Sequence, residues 1–338
     1  MSKWDREYLK LCKRILKEGK EVENRTGVNT IKVPSHHFHF DLGEEFPCLT
    51  TKKLYFRQAI LEMLWIYQAQ SNDVRWLQDR DVNIWNQWKI DVDGIYRTYY
   101  PNSDEIEDKD RTVAVRDTDG NLLYSYYGGY LLTAGATDEM REKGMVLREA
   151  KMFGEEYAHT IGTAYGYIVR RFGLIDNLIY KLQNNPNDRR MVMSLWQDDY
   201  LKTAVLPSCV WSSEWDVTDG KLNAWVHQRS CDVPLGLPFN VTQYSVLLNM
   251  LAQVTNLKPG TLDWSIKDAH IYVNQINGIK TQIERYETLG DYKAPELWLN
   301  PEVNNFYDFD SSKECRDVKV LKYKNHGPIK FDLTQWLT

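Results

Sequence analysis

The chain has 338 residues, of which 43% are hydrophobic and 26% are charged, as in soluble globular proteins of one large domain or two ordinary ones. Its 42 basic and 47 acidic residues give a formal net charge of −5, so no basic excess indicates a nucleic-acid partner. The chain has no run of about 18 apolar residues and no apolar signal segment. We therefore expect a cytoplasmic protein with no membrane partner.

The apolar periodicity predicts helices and short strands without an internal repeat or a linker. Helical spacing predicts helices over residues 4–18, 56–68, 174–183, 240–254 and 274–286. Period-two alternation predicts strands over residues 191–196, 211–217, 221–227 and 261–273. Asp219-Gly220 predicts a hairpin turn between two of these strands. These elements indicate a single domain.

Residues 89–163 differ in composition from the rest of the chain. They are polar and charged, with an Asp-Gly turn at 119–120 and a tyrosine-rich stretch from Tyr124 to Tyr130. Residues 140–157 look helical. Because neither flank ends in a flexible linker, we predict that residues 89–163 are an insertion within one domain of residues 1–338.

The five cysteines are odd in number and widely spaced and contain no C-x-x-C pair, so we expect neither disulfides nor a metal site. Cys209 follows a turn, and pairing across the predicted hairpin would bring Arg229 near it. A thiolate is the reactive form of cysteine, and nearby cations favour it. Two alternatives are a half-buried structural cysteine and a hydrolase triad of Cys209, His270 and Asp268.

Glu62 and Asn240 each have a structural and a functional interpretation. Glu62 lies mid-helix among apolar neighbours. It is either a surface carboxylate or, if buried beside a pocket, a proton-transfer group with a raised pKa. Asn240 precedes an apolar periodic run and fits a helix N-cap. Its amide could instead recognise a ring with a donor beside an acceptor.

Four arginines would suit a phosphate if the fold brought them together, because guanidinium groups bind phosphate through paired hydrogen bonds. They are Arg25, Arg189, Arg190 and Arg229. Trp85 and Trp88, three residues apart, are either core residues or a surface for a flat ring. Together these residues indicate a pocket for a nucleotide-like anion with a cysteine nucleophile.

Six segments occur in the same order as in the thymidylate synthase family, which the chain resembles over nearly its whole length outside residues 89–163. The segments are Asn24-Arg25-Thr26-Gly27, Ile84-Trp85-x-x-Trp88, Asp188-Arg189-Arg190, Gln228-Arg229-Ser230-Cys231-Asp232, Leu235-Gly236-x-Pro238-Phe239-Asn240 and Asp268-x-His270-x-Tyr272. The insertion is similar to that of the longer bacterial members.

This resemblance implies an α+β single domain, with a large sheet layer packed by helices and an inserted subdomain, that forms a homodimer. It implies transfer and reduction of a one-carbon unit from the co-substrate 5,10-methylenetetrahydrofolate to C5 of dUMP, giving dTMP and dihydrofolate. Cys209 would add to C6 of the uracil. Glu62 would organise water and move protons near the ring, and Tyr165 would help remove the C5 proton. Asn240 would read the uracil edge, where cytosine-using relatives typically carry an aspartate.

The resemblance also assigns the binding residues. For dUMP it implies Arg25, Arg189, Arg190, Gln228, Arg229, Ser230, Asp232, Asn240, His270 and Tyr272. For the folate it implies Trp85, Trp88, Asp232 and Gly236. Within these sets, Arg189 and Arg190 would reach in from the second subunit, and Asp232 would hydrogen-bond the pterin.

Three departures from the family pattern leave alternatives open. Ser208 stands where the family usually has proline, Val210 stands where most members have histidine, and the tail from Phe331 to Thr338 is longer and differently composed. Because the family's tail helps to exclude water, an altered tail would suit a hydroxymethylase that makes 5-hydroxymethyl-dUMP. Retention of both Trp85 and Trp88 favours the synthase. A non-catalytic nucleotide-binding homologue is a further alternative.

Overall fold

A computed structural model gives the conformation of residues 2–24, 26–100, 113–126 and 146–331. Its strands are β1 (Lys20–Val22), β2 (Thr30–Asp41), β3 (Ile95–Tyr100), β4 (Val113–Arg116), β5 (Leu122–Tyr126), β6 (Val146–Met152), β7 (Val192–Ser194), β8 (Val210–Thr218), β9 (Lys221–Gln228), β10 (Cys231–Asp232), β11 (Lys258–Tyr272), β12 (Glu296–Leu299) and β13 (Val318–Leu321). Its α-helices are α1 (Lys3–Glu18), α2 (Phe56–Tyr67), α3 (Arg75–Gln78), α4 (Gly166–Phe172), α5 (Leu174–Asn184), α6 (Gly236–Val254) and α7 (Ile276–Leu289). The predicted α+β class is confirmed.

A mixed sheet, seven-stranded within the described residues, forms the framework of the fold. Its strands lie in the order β1-β2-β11-β9-β8-β7, with β10 beside β11. The predicted hairpin is confirmed, since β8 and β9 meet at Asp219-Gly220, whose φ angles of +51° and +70° suit a type I′ turn. Strand β11 pairs in parallel first with β9 and then with β10. This shared partner brings the chain from Arg229 to Asp232 to one end of the sheet.

Two layers of helix cover one face of this sheet. Helices α1 and α6 pack on the strands, and α2 packs on α6. Alternation along β9 turns Leu222, Ala224 and Val226 toward these helices and leaves Trp225 48% exposed on the other face. Both α2 and α6 are buried along most of their length. A polar side chain on either helix can therefore face a buried cavity.

Helix α6 begins four residues before the predicted start. Leu235 is its N-cap and Gly236 is its first residue, so Asn240 lies inside the helix. Pro238 is accommodated in the first turn, where its missing N–H costs no hydrogen bond. The interpretation of Asn240 as an N-cap is therefore wrong, and its amide projects from the second turn.

The described part of residues 89–163 forms a separate four-stranded sheet in the order β3-β6-β4-β5. Ile95, Tyr99, Val113, Val115 and Ala150 form its own small hydrophobic cluster. The predicted helix over residues 140–157 is wrong within the described residues, because residues 146–152 are strand β6 and residues 155–157 are a single 3-10 turn. Pairing with β3 and β4 overrides the helical pattern. The division into one domain of residues 1–338 with this insertion stays a prediction.

No helix among the described residues is long and apolar enough to cross a membrane. All five cysteines are free thiols, and Cys209 is the one that is not fully buried.

Candidate active site

Cys209 immediately precedes β8 and lies beside Arg229, which immediately follows β9 at the same end of the sheet. The backbone N–H of Arg229 donates to the Cys209 carbonyl at 2.9 Å. The guanidinium donates to the carbonyls of Pro207 and Ser208 at 2.6 and 3.0 Å, and its Nη2 lies 3.8 Å from Cys209 Sγ. The predicted proximity of this cation and this thiol is confirmed. The contact favours a thiolate at Sγ.

Cys209 opens into a cavity of about 180 Å³ between the sheet, α2 and α6. Nine residues predicted for the site line it: Glu62, Trp85, Tyr165, Cys209, Gln228, Ser230, Asp232, Gly236 and Asn240. Seven further residues complete its walls: Met63, Ile66, Tyr67, Leu195, Val210, Gln243 and Tyr244. The fold thus brings together a nucleophile, a carboxylate, a phenol and several amides from distant parts of the sequence.

Glu62 lies on the side of α2 that faces this cavity, where its side chain is half-buried. Its Oε1 accepts a hydrogen bond from Trp85 Nε1 at 2.7 Å, and its Oε2 accepts one from Gln243 Nε2 at 2.6 Å. Burial raises the pKa of Glu62 to about 7, and the two hydrogen bonds oppose that rise. The interpretation of Glu62 as a surface residue is therefore wrong. Its carboxyl group can hold or release a proton near neutral pH.

Tyr165 precedes α4 with a φ of +48°, a left-handed conformation that costs a tyrosine backbone strain. This conformation directs its hydroxyl to Cys209, whose backbone N–H donates to the Tyr165 oxygen at 3.1 Å. Burial raises the pKa of Tyr165 well above its usual value, so the phenol stays protonated. Its ring also packs edge-on against Trp85 at 5.4 Å between centroids.

A row of side-chain amides crosses the cavity. The indole N–H of Trp264 donates to Gln228 Oε1 at 3.0 Å, and Gln228 Nε2 donates to Asn240 Oδ1 at 3.2 Å. Asn240 Nδ2 then donates to Gln243 Oε1, also at 3.2 Å. Gln243 and Trp264 were not predicted from the sequence. Gln243 lies three residues after Asn240 on one helix face, and that spacing is the signal that would have found it.

Asp232 is the last residue of β10 and lines the cavity together with the predicted folate residue Gly236, the first residue of α6. Its Oδ1 accepts from the Leu235 backbone N–H and its Oδ2 accepts from Gln275 Nε2, both at 3.1 Å. The buried ammonium group of Lys52 donates to the Pro234 carbonyl. Burial lowers the pKa of Lys52 to about 8, and the charge of Asp232 opposes that shift. Lys52 and Gln275 are a second pair of residues that were not predicted.

Trp85 and Trp88 pack against each other at 5.1 Å between centroids but face different cavities. Trp85 lines the cavity of Cys209. Trp88 lines a larger cavity of about 640 Å³ between Leu206 and the inserted sheet. The two tryptophans therefore separate the Cys209 cavity from the space under the insertion.

His270 and Tyr272 lie at the end of β11 and are not among the residues that line the Cys209 cavity. Their rings meet edge-on at 5.2 Å between centroids. His270 Nδ1 lies 3.3 Å from Asp268 Oδ1, as the spacing on one strand predicts. The groups that line the cavity beside Cys209 are Glu62 and Tyr165 rather than His270, so the arrangement does not favour the hydrolase triad.

Two other predicted phosphate ligands, Arg189 and Arg190, do not line the cavity of Cys209 in this single chain. Arg189 and Arg190 are exposed after α5, and Arg190 Nε donates to Asp188 Oδ1 at 2.9 Å. Hydrogen bonds from Arg190 lower the pKa of Asp188 to about 2. Arg25 lies outside the described residues. Its role and those of Arg189 and Arg190 stay predictions.

Among the described residues, no group of three or more His, Cys, Asp or Glu side chains is arranged to hold a metal ion. The polar groups of the cavity instead suit an organic ligand. Asp232 uses two of the roughly four acceptor positions of a carboxylate, which leaves positions for ring N–H donors. The indole of Trp85 offers a flat apolar surface on the same cavity.

Comparison with known proteins gives a consistent result over nearly the whole chain. The family profile described as thymidylate synthase matches residues 6–335. A thymidylate synthase of Clostridium beijerinckii is 41% identical over 334 residues, which covers 99% of this chain and 100% of the relative. Thymidylate synthase 1 of Bacillus subtilis is 33% identical and covers 98% of this chain and 99% of the relative. The solved structure of thermostable thymidylate synthase A from Bacillus subtilis matches with a TM-score of 0.71 and 33% identity, over 98% of this chain and 99% of that chain.

Proposed function

The chain belongs to the thymidylate synthase family and is a folate-dependent one-carbon transferase that makes thymidylate, and we propose that the cavity beside Cys209 is where dUMP reacts. The observation that carries this proposal is the convergence of Cys209, Glu62 and Asn240 on one buried cavity. A nucleophile, a proton carrier and a base-reading amide are the three groups that addition to a uracil ring requires. The relatives' names favour the synthase over the hydroxymethylase alternative.

In the proposed reaction Cys209 Sγ adds to C6 of the uracil. The electron pair of the C5–C6 double bond then moves toward C5 and O4, which makes C5 a nucleophile. Arg229 Nη2, 3.8 Å from Sγ, stabilises the thiolate before attack. When bound, 5,10-methylenetetrahydrofolate supplies the one-carbon unit and then the hydride that reduces it. Trp85, Trp88, Asp232 and Gly236 are the residues proposed to hold that folate.

Glu62 and Tyr165 are proposed to move the protons of this reaction. Because the pKa of Glu62 is about 7, its carboxyl group can donate a proton toward O4 or take one back without a large energetic cost. The Tyr165 hydroxyl accepts a hydrogen bond from the Cys209 backbone N–H, so it lies close to the residue that attacks the ring. That position suits a phenol that helps to remove the C5 proton once the adduct has formed.

The remaining assignments follow the family pattern and stay proposals. Arg25, Arg229 and Ser230 are proposed to bind the phosphate, Gln228 and Asn240 to contact the base, and His270 and Tyr272 to bind the ribose hydroxyl. Arg189 and Arg190 are proposed to reach the site of a second subunit, which would make the active enzyme a homodimer. Their exposure in the single chain leaves them accessible to such a partner. We also propose a cytoplasmic location.

Product analysis tests this function directly. Purified protein is incubated with dUMP and 5,10-methylenetetrahydrofolate. The nucleotide product is identified by its mass in mass spectrometry, and the formation of dihydrofolate is followed by absorbance. We expect thymidylate with an equimolar amount of dihydrofolate. Formation of 5-hydroxymethyl-dUMP with tetrahydrofolate would contradict the synthase, and nucleotide binding without product would identify a non-catalytic homologue.

A further inference from the structure

Asn240 sits between two other amides whose orientations are fixed by groups that cannot change roles. On one side, the indole N–H of Trp264 can only donate, so Gln228 must turn its Oε1 toward Trp264 and its Nε2 toward Asn240. On the other side, Gln243 Nε2 donates to the Ala59 backbone carbonyl at 3.0 Å, and a carbonyl can only accept. Gln243 must therefore turn its Oε1 toward Asn240.

These two constraints leave one orientation for the Asn240 amide. Its oxygen accepts from Gln228 and its nitrogen donates to Gln243, each at 3.2 Å. A reversed Asn240 amide would place oxygen against the Gln243 oxygen and N–H against the Gln228 N–H. Turning the Gln243 amide to remove the first clash would place its oxygen against the Ala59 carbonyl. Turning the Gln228 amide to remove the second would place its N–H group against the Trp264 N–H. An amide oxygen has two acceptor positions and an amide nitrogen has two hydrogens, so one of each remains free for a ligand.

The direction of that free pair matters for the base. Uracil presents the O4 acceptor beside the N3–H donor, whereas cytosine presents an amino donor beside the N3 acceptor. An asparagine that rotated freely about its last bond would pair with either base, because reversing the amide exchanges its donor and its acceptor. An asparagine alone therefore does not exclude cytosine; a fixed asparagine does.

We propose that Gln243 and Trp264 are positioning residues for substrate specificity, which hold the Asn240 amide in the single orientation that pairs with uracil and rejects cytosine. The inference rests on the proposed function, in which Asn240 contacts the base. Gln243 lines the same cavity and holds Asn240 directly, whereas Trp264 lies behind Gln228 and holds Asn240 through it. Gln243 is only 5% exposed and Trp264 is fully buried, so water does not replace the hydrogen bonds that they make.

Gln243→Met tests the proposal, because methionine keeps the length of the side chain and removes its hydrogen bonds. Dissociation constants for dUMP and dCMP are measured by titration calorimetry on the purified full-length protein. We expect the preference for dUMP over dCMP to fall about 10-fold, mainly through tighter binding of dCMP, because one of the two constraints on Asn240 is lost. Gln253→Met is the matched control. It lies on the same helix, and its Nε2 donates to the carbonyls of Asn300 and Val303, away from the cavity.

Gln243→Glu separates hydrogen bonding from packing. A carboxyl oxygen at this position still accepts from Asn240 Nδ2. The new carboxyl group and Glu62 together retain a proton, which the second oxygen can donate to Glu62 or to the Ala59 carbonyl. We expect this variant to keep the preference for dUMP. Trp264→Phe removes the donor at the other end and is expected to lower the preference by a similar factor, which provides a second test if Gln243→Met folds poorly.

An unchanged preference for dUMP over dCMP in both Gln243→Met and Trp264→Phe would overturn the proposal. An equal loss of that preference in Gln243→Met, Gln243→Glu and Gln253→Met would also overturn it. The proposed function is judged separately. If the unaltered protein makes thymidylate while these variants keep their base preference, only the positioning inference fails. If the unaltered protein does not bind dUMP, the proposed function fails.

Discussion

The cavity of Cys209 and the inserted sheet each hold an ionisable side chain away from water, Glu62 in part and Arg97 almost fully, but the two side chains differ in their partners. In the cavity, Glu62 is held by the neutral donors Trp85 and Gln243, and burial raises its pKa to about 7. In the insertion, the Arg97 side chain is 2% exposed and donates to the carboxylates of Asp91 and Asp93 at 2.6 to 2.9 Å. Arg97 is therefore fixed in its charged state, whereas Glu62 can change its protonation.

This contrast separates a site for chemistry from a structural contact. A desolvated carboxylate held by neutral groups is destabilised as an ion, which is the condition that proton transfer near pH 7 requires. A buried guanidinium paired with two carboxylates instead joins the segment before β3 to the small sheet. We therefore expect changes in the cavity to alter activity strongly and changes in the insertion to alter mainly stability.

The largest effect is expected for Cys209→Ala. Removal of Sγ removes the attack on C6, so turnover should fall by at least about 10⁴-fold. Binding of dUMP should survive, since the other groups of the cavity remain. Steady-state kinetics and titration calorimetry measure the two quantities. Cys231→Ala is the control, because Cys231 is a buried cysteine that does not line the cavity. Turnover retained in Cys209→Ala would exclude the nucleophile assignment.

Glu62→Gln should lower kcat by about 10²- to 10⁴-fold, the usual contribution of a proton-transfer group. It should also change the dependence of stability on pH. Because the folded pKa of about 7 lies above the unfolded value, the native state binds the proton more tightly and loses stability as pH rises between about 4.5 and 7. The loss amounts to roughly 3 kcal/mol at pH 8 and should be absent in Glu62→Gln.

Denaturant unfolding at pH 5 and pH 8 measures this difference. Glu45→Gln provides a comparison with a carboxylate that caps α1 outside the cavity. If Glu62→Gln and the unaltered protein lose the same free energy of unfolding between these pH values, the raised pKa of Glu62 is refuted.

Asn240→Asp should shift the base preference toward cytosine by about 10- to 100-fold, because a carboxyl oxygen can accept from the cytosine amino group. The ratio of kcat/KM for dCMP to that for dUMP gives the result. Asn249→Asp, on the same helix and bonded to the Ser245 carbonyl, is the control. An unaltered preference in Asn240→Asp would refute the role of Asn240 in reading the base.

The smallest effect on the site is expected for Arg97→Met, which leaves Asp91 and Asp93 without their partner. Loss of one member of a buried ion pair costs about 3 to 5 kcal/mol, so amide hydrogen exchange in β3 and β6 should accelerate. The affinity for dUMP should change less than about 2-fold. Lys202→Met removes an exposed ion pair with Asp119 and should change neither quantity. A large loss of dUMP affinity in Arg97→Met would show that the two regions are coupled.

Much of the framework was predictable because it depends on local pattern. Helices α1, α2, α5 and α7 and the β8–β9 hairpin lie close to their predicted bounds. The helix predicted over residues 140–157 was wrong within the described residues. Strand β6 forms there only through its pairing with β3 and β4, parts of which are distant in sequence. Periodicity within one segment does not contain that information.

The sequence by itself determined the family, the candidate nucleophile and most of the residues of the cavity. These depend on which residues occur in the motifs and in what order, and the sequence gives both directly. The tertiary structure decided which of those side chains share an environment. Burial between α2 and the sheet turned Glu62 from a possible surface residue into a carboxyl group with a pKa near 7. The start of α6 at Gly236 placed Asn240 against Gln243 and Gln228 rather than at a helix cap. Desolvation and hydrogen-bond direction depend on neighbours that are distant in sequence, so these properties exist only in the folded chain.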